Sequence, residues 1–302
     1  MKSKLHPRNK HRDQYDLEVL TSKNEALKPF VFVNEFGTST IDFFDDQAVI
    51  ELNKSLLMEY YGIEFWEIPE GFLCPPVPGR ADYIHHLSDL LNGKKGLRGL
   101  DIGTGANLIY PILGSHEYDW TFVASDADKD AYGSASQIVA KNKSLKDKVE
   151  VRFQPNSNCF FQGIINKDEI FDFSMCNPPF HSSAREAKAA NKKKLRSINP
   201  KSTRSKNLNF GGQSNELWTA GGEEKFIHDM VHESRNYKNS VYWFSTLVSK
   251  EDLLQPIFKA FRRAKVTEYK TVEMAQGNKK SRFVAWTYLD EKQRKIWEST
   301  RF

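Results

Sequence analysis

From residue 81 onward the chain alternates short apolar runs with stretches of helical spacing, and this restricts its possible folds more than any other feature. Residues near 97–102, 120–125, 149–153, 170–176 and 241–248 have the length and apolar character of buried strands. Segments at about 81–91, from near 107, 129–143, 223–234 and 253–261 carry apolar residues at helical steps. Strands that alternate with helices pair in parallel, because each crossover helix packs back onto the sheet. Two more strands, about 266–274 and 283–289, complete it. The expected class is α/β, an open parallel sheet covered by helices. With 302 residues there is room for one large domain with an extension.

Residues 1–40 are polar and mixed, ending in a short apolar stretch at 30–33. Val49, Ile50, Leu52, Leu56, Leu57 and Tyr60 then fall close to helical spacing. Pro69, Pro75, Pro76 and Pro78 oppose regular helix and predict an extended connection. The expected organisation is an N-terminal extension over 1–80 and a main domain over 81–302.

The formal charge of +5 is unevenly spread. Residues 1–12 carry five basic groups and no acid; residues 181–210 carry nine basic groups against Glu186. The rest of the chain is therefore net −8. Two concentrated basic segments are the footprint of a polyanion binder. The stretch 181–212, rich in Lys, Ser and Asn, reads as a basic loop that meets the substrate. No apolar run reaches membrane-spanning length, and the basic start is not followed by the apolar core of a secretory signal. A cytoplasmic, monomeric protein is expected. Cys74, Cys159 and Cys176 form no CxxC pair, so neither a disulfide framework nor a zinc site is predicted. His85 and His86 point about 100° apart on a helix and cannot share a metal, and no metal is expected.

Asp101-Ile102-Gly103-Thr104-Gly105 is a strand running into two glycines, with a helix start beyond. Glycine serves where a ligand approaches the backbone too closely for a side chain. Leu108 stands where a dinucleotide fingerprint has its third glycine, which weighs against NAD and FAD. An acid at the strand end suits S-adenosylmethionine, whose ammonium can pair with Asp101. Asp126, at the end of the next strand, can accept from both ribose hydroxyls.

The fourth strand ends at Asn177-Pro178-Pro179-Phe180. An exocyclic adenine amine is a poor nucleophile, because its lone pair is delocalised into the ring. The Asn177 side-chain oxygen and the Pro178 carbonyl can accept its two hydrogens, turning the lone pair toward an incoming methyl. Pro178 and Pro179 hold the backbone for this task, and Phe180 can stack on the base. In open α/β sheets ligands bind beyond the carboxyl ends of strands, so both motifs are expected to face one crevice.

Together, His6-Pro7-Arg8-Asn9, Asp101 to Ala106, Asn177 to Phe180, Gly221-Gly222-Glu223 and Gln276-Gly277 with 282–286 resemble a known family. It is the ribosomal RNA large-subunit adenine-N6 methyltransferase F family, which is itself similar to a eukaryotic group of adenine-N6 RNA methyltransferases. The resemblance covers nearly the whole chain. It implies a class I, Rossmann-like S-adenosylmethionine-dependent methyltransferase with a helical, basic N-terminal extension. The implied partner is large-subunit (23S) ribosomal RNA. Arg80 is implied as the partner of the cofactor carboxylate, Asp126 as the ribose ligand, and Ser157 as a neighbour of the cofactor adenine, with Asn156 the adjacent candidate. His6, Arg8, Asn9, Lys192, Lys193, Lys194 and Arg196 are implied to bind RNA.

Two other functions suit the same residues. A protein glutamine N5-methyltransferase would present a similar planar amide nitrogen to Asn177. A non-catalytic RNA-binding assembly factor could keep the fold. The basic segments favour nucleic acid over protein, and intact Asn177 and glycines favour an enzyme.

Overall fold

The computed structural model describes residues 5–179, 219–276 and 279–302. Phe180, Lys192, Lys193, Lys194, Arg196 and the whole basic stretch 181–212 lie outside the described residues. The chain opens with α1 (Leu17–Lys23), a hairpin of β1 (Val31–Val33) and β2 (Ser39–Ile41), then α2 (Asp46–Tyr61) and α3 (Val77–Leu90). There follow β3 (Arg98–Ile102), α4 (Ile109–Tyr118), β4 (Thr121–Asp126), α5 (Lys129–Lys141), α6 (Lys143–Lys146), β5 (Val149–Phe153) and β6 (Phe171–Cys176). The remainder is α7 (Gly222–Ser234), β7 (Val241–Val248), α8 (Leu254–Ala264), β8 (Glu268–Gln276), β9 (Lys279–Thr287) and α9 (Glu291–Arg301).

The main sheet runs β5-β4-β3-β6-β7-β9-β8. The first five strands in that order are parallel, and β9 and β8 join antiparallel at one edge. All six residues of β6 are buried, as a strand covered on both faces requires. Alternate side chains feed two cores. One holds Phe122, Phe173, Leu87 and Leu113; the other holds Leu100, Val123, Ile227, Phe244 and Phe261. The chain steps outward from β3 to β4 and β5, then returns to place β6 on the opposite side of β3. Strand order therefore reverses between β3 and β6, the place where such sheets open a crevice.

Several elements depart from expectation. α3 starts at Val77, so Pro78 lies inside a helix and not in an extended connector. A first-turn proline is tolerated because the amide it lacks would have no helical partner. Arg80 thereby sits in the first turn of α3. The boundary expected at residue 80 falls within this helix, and Leu20, Leu56 and Trp66 share one core with Leu87 and Trp120. α9 was not anticipated, since none of its residues is fully buried and its apolar pattern is faint. A capping box at Asp290 starts it. Trp297 and Arg301 then tie it to Asp172, a nearly fully buried carboxylate on β6. No helix among the described residues is long and apolar enough to cross a membrane.

The His6–Asn9 motif, expected at RNA, turns inward. His6 and Asn9 are 6% and 3% exposed. The Asp82 carboxylate on α3 accepts from the His6 amide at 2.7 Å and the Asn9 side chain at 3.1 Å, and Asn9 also reaches the Pro78 carbonyl at 2.9 Å. The His6 ring donates to Asp89 at 2.9 Å while its Nδ1 accepts from the Arg8 amide. Arg8, half exposed, pairs with the same Asp89 at 2.6 Å and touches the Tyr118 hydroxyl. His6, His86 and Asp89 are close enough to be considered for a metal, but the ring N–H of His6 and the Arg8 cation already occupy the Asp89 carboxylate. Burial holds His85 at about 3 and His11 at about 4, so both are neutral at physiological pH. The motif is a clasp that fastens the N-terminus to α3, because a buried carboxylate must be supplied with donors. Asn9→Ala is expected to cost about 2–3 kcal/mol, the usual loss when a buried charged acceptor is stripped of a partner. Denaturant unfolding would measure it, and a change under about 0.5 kcal/mol, the scatter of ordinary surface substitutions, would rule out a structural clasp.

Candidate active site

A cleft of about 550 Å³ opens at the reversal of strand order. Ile102 at the end of β3 lies in register with Cys176 at the end of β6, so the residues that follow each strand meet at one opening. Arg80, Gly103, Gly105, Asp126, Ser157, Asn177 and Pro179 all line it. The two sequence motifs, separated by more than seventy residues, thus face a common space, as expected.

Gly103 and Gly105 have φ of 71° and 67°, a region that side chains disfavour. The amides of Gly103 and Thr104 both donate to the Ser125 carbonyl, at 2.9 and 3.0 Å, which locks the turn to β4. A Cβ added at Gly103 would find no atom within 4 Å. This glycine leaves room for a ligand and is not demanded by protein packing. Asp126 holds the turn from the other side, its carboxylate accepting from the Gly105 amide at 2.8 Å and the Asp128 amide at 2.9 Å. Its remaining lone pairs are available to hydroxyl donors. Asp128 is the N-cap of α5.

Asp101 is fully buried immediately before the glycine turn, and neither carboxylate oxygen has a hydrogen-bond partner among the described residues. Burial pushes its pKa up to about 7, with the neighbouring Asp126 adding to the rise and Thr104 and Arg80 opposing it. A carboxylate so placed needs a cation. Arg80 donates to the Tyr110 hydroxyl at 2.9 Å, and no carboxylate among the described residues lies within ion-pair distance of it. Arg80 lines the cleft and Asp101 does not, so the cation stands at the wall while the carboxylate is buried next to the glycine turn.

On the β6 side, Asn177 Oδ1 is buried with no partner among the described residues. Pro178 is buried behind it and Pro179 reaches the cleft. Burial holds the Cys176 thiol well above its ordinary pKa, so it is no thiolate nucleophile. On the β5 side, Ser157 lines the cleft and Asn156 does not; the Asn156 side chain accepts from the Asn158 amide within its own turn. Phe72, Leu73, Pro75, Tyr110, Gln154, Phe160 and Phe226 complete the wall and escaped sequence reasoning. Phe72 and Pro75 belong to the proline-rich stretch read as a plain connector. Their clue was an aromatic residue just ahead of paired prolines before the first helix of the domain.

A family model described as RNA methyltransferase matches residues 1–290. The chain belongs to this RNA methyltransferase family. "Ribosomal RNA large subunit methyltransferase F" of Flavobacterium johnsoniae is 48% identical, covering 98% of this chain and 97% of the relative. The protein of that name from Serratia proteamaculans is 47% identical over 100% of this chain and 92% of its own length. Among solved structures, the human METTL16 catalytic domain in complex with MAT2A 3'UTR hairpin 1 superposes with a TM-score of 0.81 at 33% identity, covering 95% of this chain and 96% of that one. The METTL16 N-terminal domain in complex with SAH gives 0.75 at 30% identity, covering 95% and 99%. The α/β fold expected from the strand and helix alternation is that of a class I methyltransferase.

The methyltransferase's own residues fit an amino-acid-bearing nucleoside. The orphaned Asp101 suits an ammonium, Arg80 a carboxylate, Asp126 a pair of ribose hydroxyls, and the bare Gly103 a close approach. The folded pKa of Asp101 lies above the ordinary 3.8, so the native state keeps this proton longer than the unfolded chain does. Its contribution to stability is full below about 4 and is lost as pH rises through about 7. Asp101→Asn should therefore melt progressively higher than wild type between pH 5 and 8, while binding S-adenosylhomocysteine at least about tenfold more weakly at pH 8. A melting difference that stays flat with pH would contradict the buried, unpaired carboxylate. Gly103→Ala should cost about 1–2 kcal/mol through its backbone alone. Calorimetric titration should show the folded variant without measurable S-adenosylhomocysteine binding.

Proposed function

We propose that this RNA methyltransferase transfers the methyl group of S-adenosylmethionine to the N6 amine of an adenine in large-subunit ribosomal RNA. The observation that carries the reading is the Asn177 oxygen, buried without a partner among the described residues at a strand tip directly beside the glycine turn. A buried amide oxygen without a donor is costly, and an exocyclic amine supplies the donor it lacks. The two bacterial relatives are by name ribosomal RNA large subunit methyltransferases, which supports the choice of substrate.

The cofactor supplies a methyl group on a positively charged sulfur, an excellent leaving group. Asn177 Oδ1 and the Pro178 carbonyl accept the two hydrogens of the amine. The amine's lone pair then turns out of conjugation with the ring. As nitrogen gains positive charge in the transition state, both acceptors bind its hydrogens more tightly, so they favour the transition state over the ground state. No side chain need remove the proton, which passes to water after transfer. The buried thiol of Cys176 remains protonated throughout. The target base must already be unpaired or be drawn out of its stack to enter a cleft of this depth.

Binding of the RNA itself falls to groups other than His6 and Asn9, whose side chains are spent on Asp82 and Asp89. The basic stretch containing Lys192, Lys193, Lys194 and Arg196 is the natural candidate, since it holds nine cations against one acid. Arg8, whose side chain is half exposed, keeps a cation at the surface that an RNA phosphate can meet.

Purified protein should transfer labelled methyl to large-subunit ribosomal RNA lacking the modification, and mass spectrometry should locate it on adenine N6. Label on release-factor glutamine with bare RNA would instead identify a protein methyltransferase. Asn177→Ala should lower kcat about 10²–10³-fold, as loss of a charge-stabilising acceptor does. S-adenosylhomocysteine and RNA affinities should stay within about threefold, a change under 1 kcal/mol.

A further inference from the structure

Near each end of helix α7 an acidic residue, Glu223 or Glu233, is bound to a different part of the cleft's framework. Near its start, Glu223 is 4% exposed and accepts from the Ser249 amide at 2.6 Å and from the Ser249 hydroxyl, beyond the end of β7. In its last turn, Glu233 accepts three successive backbone amides. Phe160 donates to one carboxylate oxygen at 2.8 Å; Phe161 and Gln162 donate to the other at 2.9 and 2.7 Å. Between these anchors Phe226 lines the cleft and meets the ring of Phe160 edge-on at 4.8 Å.

The three amides belong to the loop that follows β5, and Ser157, Asn158, Cys159 and Phe160 of that loop form one wall of the cleft. The loop is fastened from its inner side by Gln154, which donates to the Gln162 carbonyl at 2.9 Å and accepts from the Asn156 amide at 3.1 Å. Glu233 fastens it from outside. Asp126 pairs with Phe153 across β4 and β5, and the Gln154 amide donates to the Asp126 carbonyl at 2.8 Å. With the ribose held by Asp126, the next group along a nucleoside is its base, and the surface beside Asp126 is this loop. Three donors converging on one carboxylate define the loop's backbone more closely than neutral acceptors can, because charge-assisted bonds are shorter and stronger.

We propose that Glu233 is a positioning residue for the cofactor's purine, acting through the 157–162 loop. It touches no ligand itself. The inference rests on the cofactor assigned above and is independent of the RNA target. Glutamine at this position keeps the shape but can accept at only one of its two terminal atoms, so at least one of the three amides would face another donor.

The test compares two probes, S-adenosylhomocysteine and 5′-methylthioadenosine, by calorimetric titration. Both carry the adenosine, but only the first carries the amino-acid end. Glu233→Gln should weaken both by a similar factor, about tenfold, the equivalent of one charged hydrogen bond. Arg80→Ala should weaken the first alone. KM for the cofactor should rise in parallel while kcat at saturation and RNA affinity stay within about twofold, under 0.5 kcal/mol, which general loosening of the fold would not produce. Should Glu233→Gln fail to melt cooperatively, Glu233→Asp keeps the charge one methylene short and should show a smaller weakening of both probes. Unchanged affinity for both probes in a folded variant overturns the proposal, as does weakening confined to S-adenosylhomocysteine. Failure of the wild-type protein to bind either probe would overturn the cofactor assignment and this proposal with it.

Discussion

Parallel pairing of β3 with β6 is the constraint on which the site depends. The chain leaves β3 in one direction and returns on the other side, so α4 and α5 cannot close over the gap between these two strands. Ladder hydrogen bonds set the register, and a shift of one residue would turn Asp101 and Asn177 toward the opposite faces of the sheet. The fully buried β6 and the two cores on either face make such a shift prohibitive. Rigid strand ends thus carry groups that need accurate placement.

Polar groups left unpaired inside this frame are a cost the fold bears for its ligands. Asp101 and Asn177 Oδ1 each lack a donor among the described residues, and a purely structural interior would have replaced or satisfied them. Elsewhere among the described residues each buried carboxylate receives a donor on at least one oxygen. Asp82 receives the N-terminal clasp, Asp172 receives the Arg98 amide with Trp297 and Arg301, and Glu223 receives Ser249. The contrast separates groups that hold the protein together from groups held ready for something else.

The N-terminal clasp and α7 support the cleft from opposite sides. The clasp fixes α3, whose first turn presents Arg80; α7 fixes the loop after β5 and contributes Phe226. Neither structure supplies chemistry, yet each sets where a ligand-facing group stands, and small displacements of such groups are expensive in catalysis. His6 and Asn9 illustrate how a motif can be spent on holding the fold together.

The sequence by itself determined the sheet's strands, the glycine turn and the Asn177-Pro178-Pro179 segment at the end of β6. β5 and β7 match their expected spans residue for residue; β7 is written as a buried apolar run, and β5, at the sheet edge, as Val149, Val151 and Phe153 alternating with Glu150 and Arg152. Asp126 and Asn177 were legible because each stands at the end of a strand and lines the crevice, and Asp101 because it precedes the glycine turn. The tertiary structure alone decided what lay between segments distant in the chain. Asp82 could be known as the partner of His6 and Asn9 only once α3 was placed, across more than seventy residues. α9 was faint because a surface helix held by ion pairs and one tryptophan carries little apolar periodicity. Local pattern records what each segment buries, but pairing between remote segments follows from how their surfaces meet, which no local pattern contains.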